Sequence, residues 1–539
     1  MKNKRKILFI FATSRQEILE AVRAGKSPDN ELYGLNYFES LGWQASFADV
    51  SPVWQNFLDK VFFLLGRLFR KQIDITFQLG RALLMLPEIN RADVILTNTD
   101  SIGLPVLFLK RLGLIRPPVI YAVGLFYIQG KLKETVDAGE KTLFLSFYTW
   151  ILSVADHIIY HSPIEKEKLV KLGLYNPAYC TFAEMGSDAN FFRNIKRSDL
   201  GVRQGRTLTD TSLVLAVGRD HARDYKTLFE AVGKLPDINF VVICSRRNVE
   251  GLRIPGNVKI LFDLPYREVA RWYQRATVVV ISMKEMYRSS GQMTLTDSFQ
   301  AGKPIIASNV VGISHYGLKN GIDAILVAPD NVNLLQRAIK TVIGDGSLRR
   351  HLENQTEKLS GRFTTENYAG NVAEAVNWST DRLRLRPIWF GDLEFVRRIR
   401  NDNRRKFLDD AYVSWPDQRR WFENYKKKTD DYMFVLVDNG RKVGAGAIYN
   451  IDLEKKTAEV GRFVIDNQFQ GKGYGKKLMN KIERAAFIEL GLTKICLEVI
   501  ADNKSALKLY ERAGFEREKE TTVRGKSVIR MVKYSNEKS

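Results

Sequence analysis

A chain of 539 residues, 45% of them apolar and with no low-complexity tract, is long enough for two or three separately cored domains and excludes a disordered or fibrous protein. Its 83 Lys+Arg against 61 Asp+Glu give +22; from Asp381 onward the count is 35 against 24 and before it 48 against 37, so each part carries +11 and the excess is no basic tail. A basic enzyme can favour nucleotide phosphates, an anionic membrane face or nucleic acid, and a solvated surface is the default reading of any one cluster; the dispersal of the charge and the lack of a nucleic-acid fold signature argue against a nucleic-acid-binding module.

The chain begins basic and turns apolar at Ile7, but Arg15, Gln16 and Glu17 cut the run short, so a buried first strand is expected rather than a signal peptide. No apolar run reaches the length that spans a bilayer. A cytoplasmic protein is expected, with a peripheral place at the inner membrane face as an addition. Trp54–Lys71 reads as a helix rich in Phe and Leu with basic residues at its end. Packing on the core is its expected use, and lying in a membrane interface is the alternative. Strands are predicted at Lys6–Phe11, Gln44–Ala48, Asp93–Thr97, Val119–Ala122 and His157–Tyr160. A second alternating series follows at Ser212–Val217, Asn239–Ile243, Val258–Phe262, Val278–Ser282, Pro304–Ala307 and Ala324–Val327. Both read as α/β units with parallel sheets. Cys180, Cys244 and Cys496 are too far apart for a disulfide framework or a zinc site.

The second series opens with Gly218-Arg219-Asp220 after its first strand and continues to Arg223-Asp224; further on stand Ser289-Ser290-Gly291-Gln292-Met293 and, eight positions after Ser289, Asp297. These motifs resemble the donor domain of GT-B retaining glycosyltransferases, as does Gly186-Ser187-Asp188 with Phe191-Phe192 at the crossing between domains; the similarity runs over roughly residues 5–375. The resemblance implies a GT-B fold of two Rossmann-like doubly wound domains and a nucleotide-sugar donor held by Gly218, Arg219, Arg223, Ser289, Ser290, Gly291, Gln292, Met293 and Asp297. Arg219 and Arg223 would act catalytically on the leaving diphosphate, and Asp297 would bind the ribose. This chain has Arg223 where the family has Lys, Asp297 for the second Glu and Ser289 for the first, which leaves the contacts to the sugar ring open. No Asp-x-Asp occurs, so no metal is expected. Asp100 and His161 follow first-domain strands on the acceptor side, but no general base is nominated.

A break at Ser379-Thr380-Asp381 places a boundary, giving expected domains of 1–195, 196–378 and 379–539. Beyond it, a strand at Thr457–Ile465 leads into Gln470-Gly471-Lys472-Gly473-Tyr474-Gly475-Lys476 and a helix. A second strand, Lys494–Ile500, leads to Asn503, Tyr510, Gly514 and Phe515. Glycines before a helix let backbone N–H groups and the helix dipole reach a diphosphate. Order and spacing resemble the GNAT acetyltransferases, over roughly residues 382–534. The resemblance implies an α/β domain with a mixed, mostly antiparallel sheet. It implies acetyl-CoA as co-substrate, bound by Phe463, Val464, Ile465, Gln470, Gly471, Lys472, Gly473, Tyr474, Gly475, Lys476 and Asn503, the last of which is equally a helix cap. Tyr510 would be the acid for the departing thiolate and Glu459 the base. Leu385-Arg386-Pro387, Asp392-Leu393, Arg400-Asn401-Asp402, Ser414 and Gln418–Phe422 resemble acetyltransferases of nucleotide-linked amino sugars, as in pseudaminic acid pathways; ribosomal-protein N-terminal acetyltransferases share part of this pattern. Trp415 and Trp421 can stack on a sugar or base. The combined expectation is a bifunctional enzyme of surface-glycan assembly. One domain would transfer sugar to an acceptor, including a lipid-linked glycan at a membrane, and the other would N-acetylate an amino sugar. The alternative is a protein or tRNA acetyltransferase with an accessory glycosyltransferase-like domain.

Overall fold

Strands buried on both faces need unbroken apolar runs. Val94–Asn98 (VILTN) and Val278–Ile281 (VVVI) are buried along their whole length. They belong to a computed structural model that describes residues 4–50, 52–73, 75–122, 139–140, 142–195, 212–285 and 290–535. It forms two units, residues 1–174 with 182–376 and residues 175–181 with 377–539.

The first unit carries two sheets. In one, β1 (Arg5–Ile10), β2 (Trp43–Phe47), β3 (Val94–Asn98), β4 (Val119–Ala122) and β5 (His157–Tyr160) lie in the order β2-β1-β3-β4-β5, and the short β6 (Cys180–Phe182) falls at the boundary between the units. In the other, β7 (Leu213–Val217), β8 (Asn239–Cys244), β9 (Val258–Phe262), β10 (Val278–Ile281), β11 (Ile305–Ser308) and β12 (Ile325–Val327) lie in the order β12-β11-β10-β7-β8-β9, all parallel. Strand order reverses direction between β1 and β3 and between β7 and β10. Such switch points open a crevice at the carboxyl ends of the strands. The helix Thr365–Thr380 returns to the first sheet, packing Tyr368, Ala369, Val372 and Val376 against Ile7, Phe9 and Leu96. Two doubly wound sheets in series are the GT-B architecture expected from the motifs.

Gly186 makes the crossing possible. Ser187 N–H donates to the Phe363 carbonyl at 3.1 Å and Thr365 N–H to the Ser187 carbonyl at 3.2 Å. A Cβ on Gly186 would fall 2.3 Å from the Thr364 backbone. Gly186→Ala is therefore expected to cost about 2 kcal/mol or more, read as a fall in denaturation midpoint, because backbone has to move to admit the methyl.

Residues 346–380 form two helices, Gly346–Ser360 and Thr365–Thr380, separated at the Gly361 turn. The expected Trp54–Lys71 helix is also two, Pro52–Val61 and Phe63–Ile73. Its core-packing reading holds for one face only: Phe69 and Ile73 are buried, whereas Trp54, Phe57 and Leu64 are exposed.

The second unit has one sheet of β13 (Leu383–Pro387), β14 (Tyr432–Asp438), β15 (Arg441–Asp452), β16 (Thr457–Ile465), β17 (Lys494–Ile500), β18 (Glu516–Val523) and β19 (Lys526–Tyr534), in the order β13-β14-β15-β16-β17-β19-β18. Only β16 and β17 pair in parallel, so the sheet is mixed and mostly antiparallel as expected. The helices Leu393–Asp402 and Trp415–Tyr425 cover one face through Leu393, Val396, Ile399 and Phe422. Asp392, from the amino-terminal motif, is a structural anchor here. Burial opposes its ionisation, yet Arg386 at 2.6 and 2.8 Å and Lys442 at 2.8 Å hold its carboxyl below the usual carboxylate range. Trp421 stacks on Tyr425 at 5.2 Å and Trp415 meets Phe390 at 6.3 Å, so both have protein partners.

Candidate active sites

At the β7/β10 switch point, Gly218 has no side chain where the Arg223 guanidinium lies; a Cβ there would stand 2.0 Å from Nε. Arg223 is buried. Its Nε donates to Asp220 Oδ2 at 3.0 Å and its Nη2 to Thr294 Oγ1 at 2.7 Å, while Nη1 is buried with no partner. An unpaired buried donor on a permanent cation is costly unless an anion meets it. Ser290 Oγ donates to Asp220 Oδ1 at 2.8 Å and ties the β10 loop to the β7 loop. Although burial opposes it, Arg223, Ser290 and the Ala222 N–H keep Asp220 below the usual carboxylate range. The helix Gln292–Gln300 begins there with Gly291 as N-cap at φ 84° and no side-chain cap. Four other helices of this unit are capped by the side chains of Ser162, Asp224, Asn331 and Asp345, whereas Asp100–Arg111 and Tyr266–Arg275 also start without a side-chain cap. Its first N–H groups, at Gln292 and Met293, have no side chain to satisfy them. Arg219 is exposed beside this loop, its Nη2 3.5 Å from the Leu264 carbonyl. Ser289 lies outside the described residues. Gly218, Arg219, Arg223, Ser290, Gly291, Gln292 and Met293 thus lie on the loops and helix start that follow β7 and β10.

Asp297 departs from its expected ribose role. It is 3% exposed, and its oxygens accept from Ser187 Oγ at 2.6 Å, from Tyr266 OH and from Asn30 Nδ2 at 3.5 Å. Burial pushes its pKa up to about 6, against those donors. The carboxylate pins the crossing segment instead of facing the crevice. Of the two acceptor-side residues, Asp100 accepts from Tyr121 OH at 2.5 Å inside the core. His161 is buried and kept neutral, its pKa lowered to about 4 by desolvation. Its Nδ1 lies 2.8 Å from the Ala183 carbonyl, and its own carbonyl accepts from Gln292 Nε2 at 3.3 Å. Sequence reading missed Asn98, at the end of β3 beside the first sheet's switch point. It is 3% exposed, with neither side-chain polar atom partnered. Its only sequence signal was a polar residue closing an apolar strand.

In the second unit, β16 and β17 pair only at Thr457–Glu459 with Lys494–Cys496 and then part. The strands continue to Ile465 and Ile500, leaving a wedge-shaped gap walled by Phe463, Val464 and Ile465. A bulge drives the parting. Arg462 and Phe463 together oppose Gly446, with Arg462 at φ 54°. Asp431 stabilises that conformation by accepting from Arg462 at 2.7 and 2.9 Å. Gly446 makes room, since a Cβ would lie 2.9 Å from the Phe463 ring.

At the wide end of the gap, the helix Tyr474–Arg484 starts from Gly473 at φ 78° with no side-chain cap. Gly471 also sits at φ 75°, and Gly475 packs close under Leu509. Gln470 holds the loop, its Nε2 donating to Asn467 Oδ1 at 2.8 Å, Asn403 Oδ1 at 3.0 Å and the Ile465 carbonyl at 3.0 Å. Tyr474 OH donates to Asp438 Oδ2 at 2.5 Å and Lys472 Nζ to the Gln468 carbonyl at 2.9 Å; Lys476 is exposed on the first turn. The side chains brace the loop and leave its main-chain amides outward. Asn503 caps the helix Lys504–Arg512 through Ala506 N–H at 3.3 Å, the second of its two expected roles.

Tyr510, on that helix, is 7% exposed between Phe463 and Phe515, with ring centroids 6.1 Å from each. Burial pushes its phenol well up, so the oxygen keeps its proton. Glu459 stands where the strands part, opposite Tyr449 and Cys496. Tyr510→Phe keeps the ring packing and is expected to lower kcat of acetyl transfer roughly 100-fold with little change in melting temperature, measured by thiol release.

Family models match both regions: "Glycosyl transferases group 1" over residues 202–359 and "Acetyltransferase (GNAT) family" over 396–515. The carboxyl-terminal part is similar to a spermine/spermidine N(1)-acetyltransferase of Bacillus subtilis (31% identity, 25% of this chain and 95% of the relative). It is also similar to a spermidine N(1)-acetyltransferase of Vibrio cholerae (29%, 25% and 80%) and to acetyltransferase PseH of Campylobacter jejuni (26%, 23% and 76%). Among solved structures, the Vibrio cholerae spermidine N-acetyltransferase with CoA and spermine matches at 28% identity and TM-score 0.27, covering 28% of this chain and 95% of that one.

Proposed function

Because the chain belongs to the GNAT acetyltransferases through its second unit and carries a group 1 glycosyltransferase domain in its first, we propose that it is a bifunctional enzyme of surface-glycan synthesis. One site transfers a sugar from a nucleotide-diphosphate donor with retention. The other moves an acetyl group from acetyl-CoA to the amine of an amino sugar. The observation that carries this reading is the pair of glycine-capped helix starts without a side-chain cap, at Gly291 and Gly473, each following a strand where its sheet changes order or parts.

In the first site, the sugar–phosphate bond breaks and negative charge gathers on the departing diphosphate. Arg223 Nη1, Arg219 and the amides of Gln292 and Met293 stabilise that charge. The acceptor, a hydroxyl of a glycan lipid-linked at the inner face of the membrane, bonds through its oxygen to the sugar carbon as that carbon's bond to phosphate breaks, its proton passes to the departing diphosphate, and the protein works from the cytoplasm. In the second, the amine attacks the thioester carbon, the carbon–sulfur bond breaks, Tyr510 gives its proton to the thiolate, and Glu459 takes the proton from the amine. Amides along Phe463–Ile465 orient the thioester.

A polyamine is the second reading of the acetyl acceptor, favoured by the names of the similar acetyltransferases. Against a polycation stands the pairing already present on this sheet. Glu518 holds Lys494 at 2.9 Å and Arg530 at 3.0 Å, and Asp431 holds Arg462. Incubating the purified chain with acetyl-CoA and either a UDP-linked amino sugar or spermidine separates the two. The expected result is acetylation of the amino sugar at the higher kcat/KM, and preference for spermidine would overturn it.

A further inference from the structure

The helices Pro52–Val61 and Phe63–Ile73, joined through the single residue Phe62, put their most apolar side chains into solvent. Val53 is 74% exposed, Trp54 59%, Phe57 57%, Val61 61%, Phe63 58% and Leu64 78%. Val53, Phe57 and Val61 recur at every fourth position, so they form one stripe. The opposite side is already occupied. A Cβ on Gly80 would lie 2.8 Å from Leu58 and Asp59, and Phe69 stacks on Phe77 at 4.1 Å and meets Phe144 at 5.3 Å. The outward stripe is thus a second apolar face on helices whose inward face is satisfied. Its rim is cationic: Lys60, Arg67, Arg70 and Lys71 are exposed, and among the described residues none makes an ion pair. Asp59, the one acid of these helices, instead accepts from Gly80 N–H at 3.1 Å. Trp150, 42% exposed, stacks on Phe147, whose ring lies 6.1 Å from Phe69, and so adds an aromatic at the margin.

We propose that this pair of helices docks the protein on an anionic lipid bilayer, with Trp54, Phe57 and Leu64 entering the headgroup–acyl boundary and the four cations meeting lipid phosphates. The chemistry selects this occupant. A protein partner would cover the apolar stripe but needs no unpaired cation rim, whereas an anionic membrane satisfies both together. Among the described residues no helix is long and apolar enough to cross a membrane, so these helices lie on the surface of the bilayer. The inference deepens the reading of a lipid-linked acceptor and rests on it only for its purpose, because docking is measured without turnover.

Sedimentation of the full chain with phosphatidylglycerol/phosphatidylcholine vesicles, and with phosphatidylcholine alone, tests it. Binding to the anionic vesicles is expected, weakened at least about tenfold by Arg67→Glu/Lys71→Glu and by high salt. Trp54→Ser/Leu64→Ser should weaken it by a similar factor, with acetyl transfer and melting temperature retained because both side chains are exposed. Failure to bind anionic vesicles, equal binding to neutral ones, or variants that bind like the native chain would overturn the proposal. So would a dimer that these substitutions dissociate, because the stripe would then be covered by a second copy.

Discussion

Gly473→Glu should weaken acetyl-CoA binding at least about 100-fold and leave binding of a nucleoside diphosphate unchanged. Two effects combine. Gly473 sits at φ 78°, a region that costs an L-residue roughly 1–2 kcal/mol, or about a tenfold loss if paid in the bound loop. The new carboxylate then stands where the Tyr474, Gly475 and Lys476 amides would meet the diphosphate, and like charge opposes it. A Cβ at Gly473 meets nothing within 4 Å, so the helix itself should survive. Gly473→Ala separates the two effects: about tenfold is expected from strain alone. Calorimetric titration with CoA and, separately, UDP checks both variants. If Gly473→Glu abolishes UDP binding as well, the two sites are not separate.

Arg223→Ala should lower kcat of glycosyl transfer roughly 100- to 1000-fold, the usual loss when one stabiliser of developing charge is removed, with CoA binding intact. The effect is compounded by what stays behind. Asp220 loses the cation 3.0 Å away, and its carboxylate remains beside the crevice to repel the donor. Some loss of stability, about 1–3 kcal/mol, accompanies the orphaned Asp220 and Thr294 partners. UDP affinity measured well below the melting transition keeps that loss distinct from loss of the site. Arg223→Lys restores charge but not the planar fork that reaches Asp220 and Thr294 together, so only partial recovery is expected.

Much of this architecture is legible in the chain because it depends on local chemistry. The eleven foreseen strands of the first unit depend on apolar runs and fall within a residue or so of their observed bounds, while the three-residue β6 gave no such signal. Gly291 and Gly473 are recognisable because a positive-φ N-cap needs glycine wherever the rest of the fold lies. What the chain does not reveal is set by distant partners. Asp297 is drawn from the expected ribose contact by Tyr266, Ser187 and Asn30, which lie 31, 110 and 267 positions away. The parting of β16 and β17 comes from a bulge at Arg462 that an alternating pattern does not mark, and from Asp431 that holds it. An amphipathic pattern over 54–71 says that two faces differ and not which one meets the core, so the outward set of Trp54 and Leu64 came only with the structure.

Hydrogen–deuterium exchange of the full chain, with CoA and with UDP in turn, tests most directly whether main-chain amides at two glycine-capped helix starts each hold a diphosphate. CoA should slow exchange in the peptide over 471–477 and leave 290–294 unchanged, and UDP should do the converse. Protection of both segments by either ligand, or of neither by its own, would contradict the account.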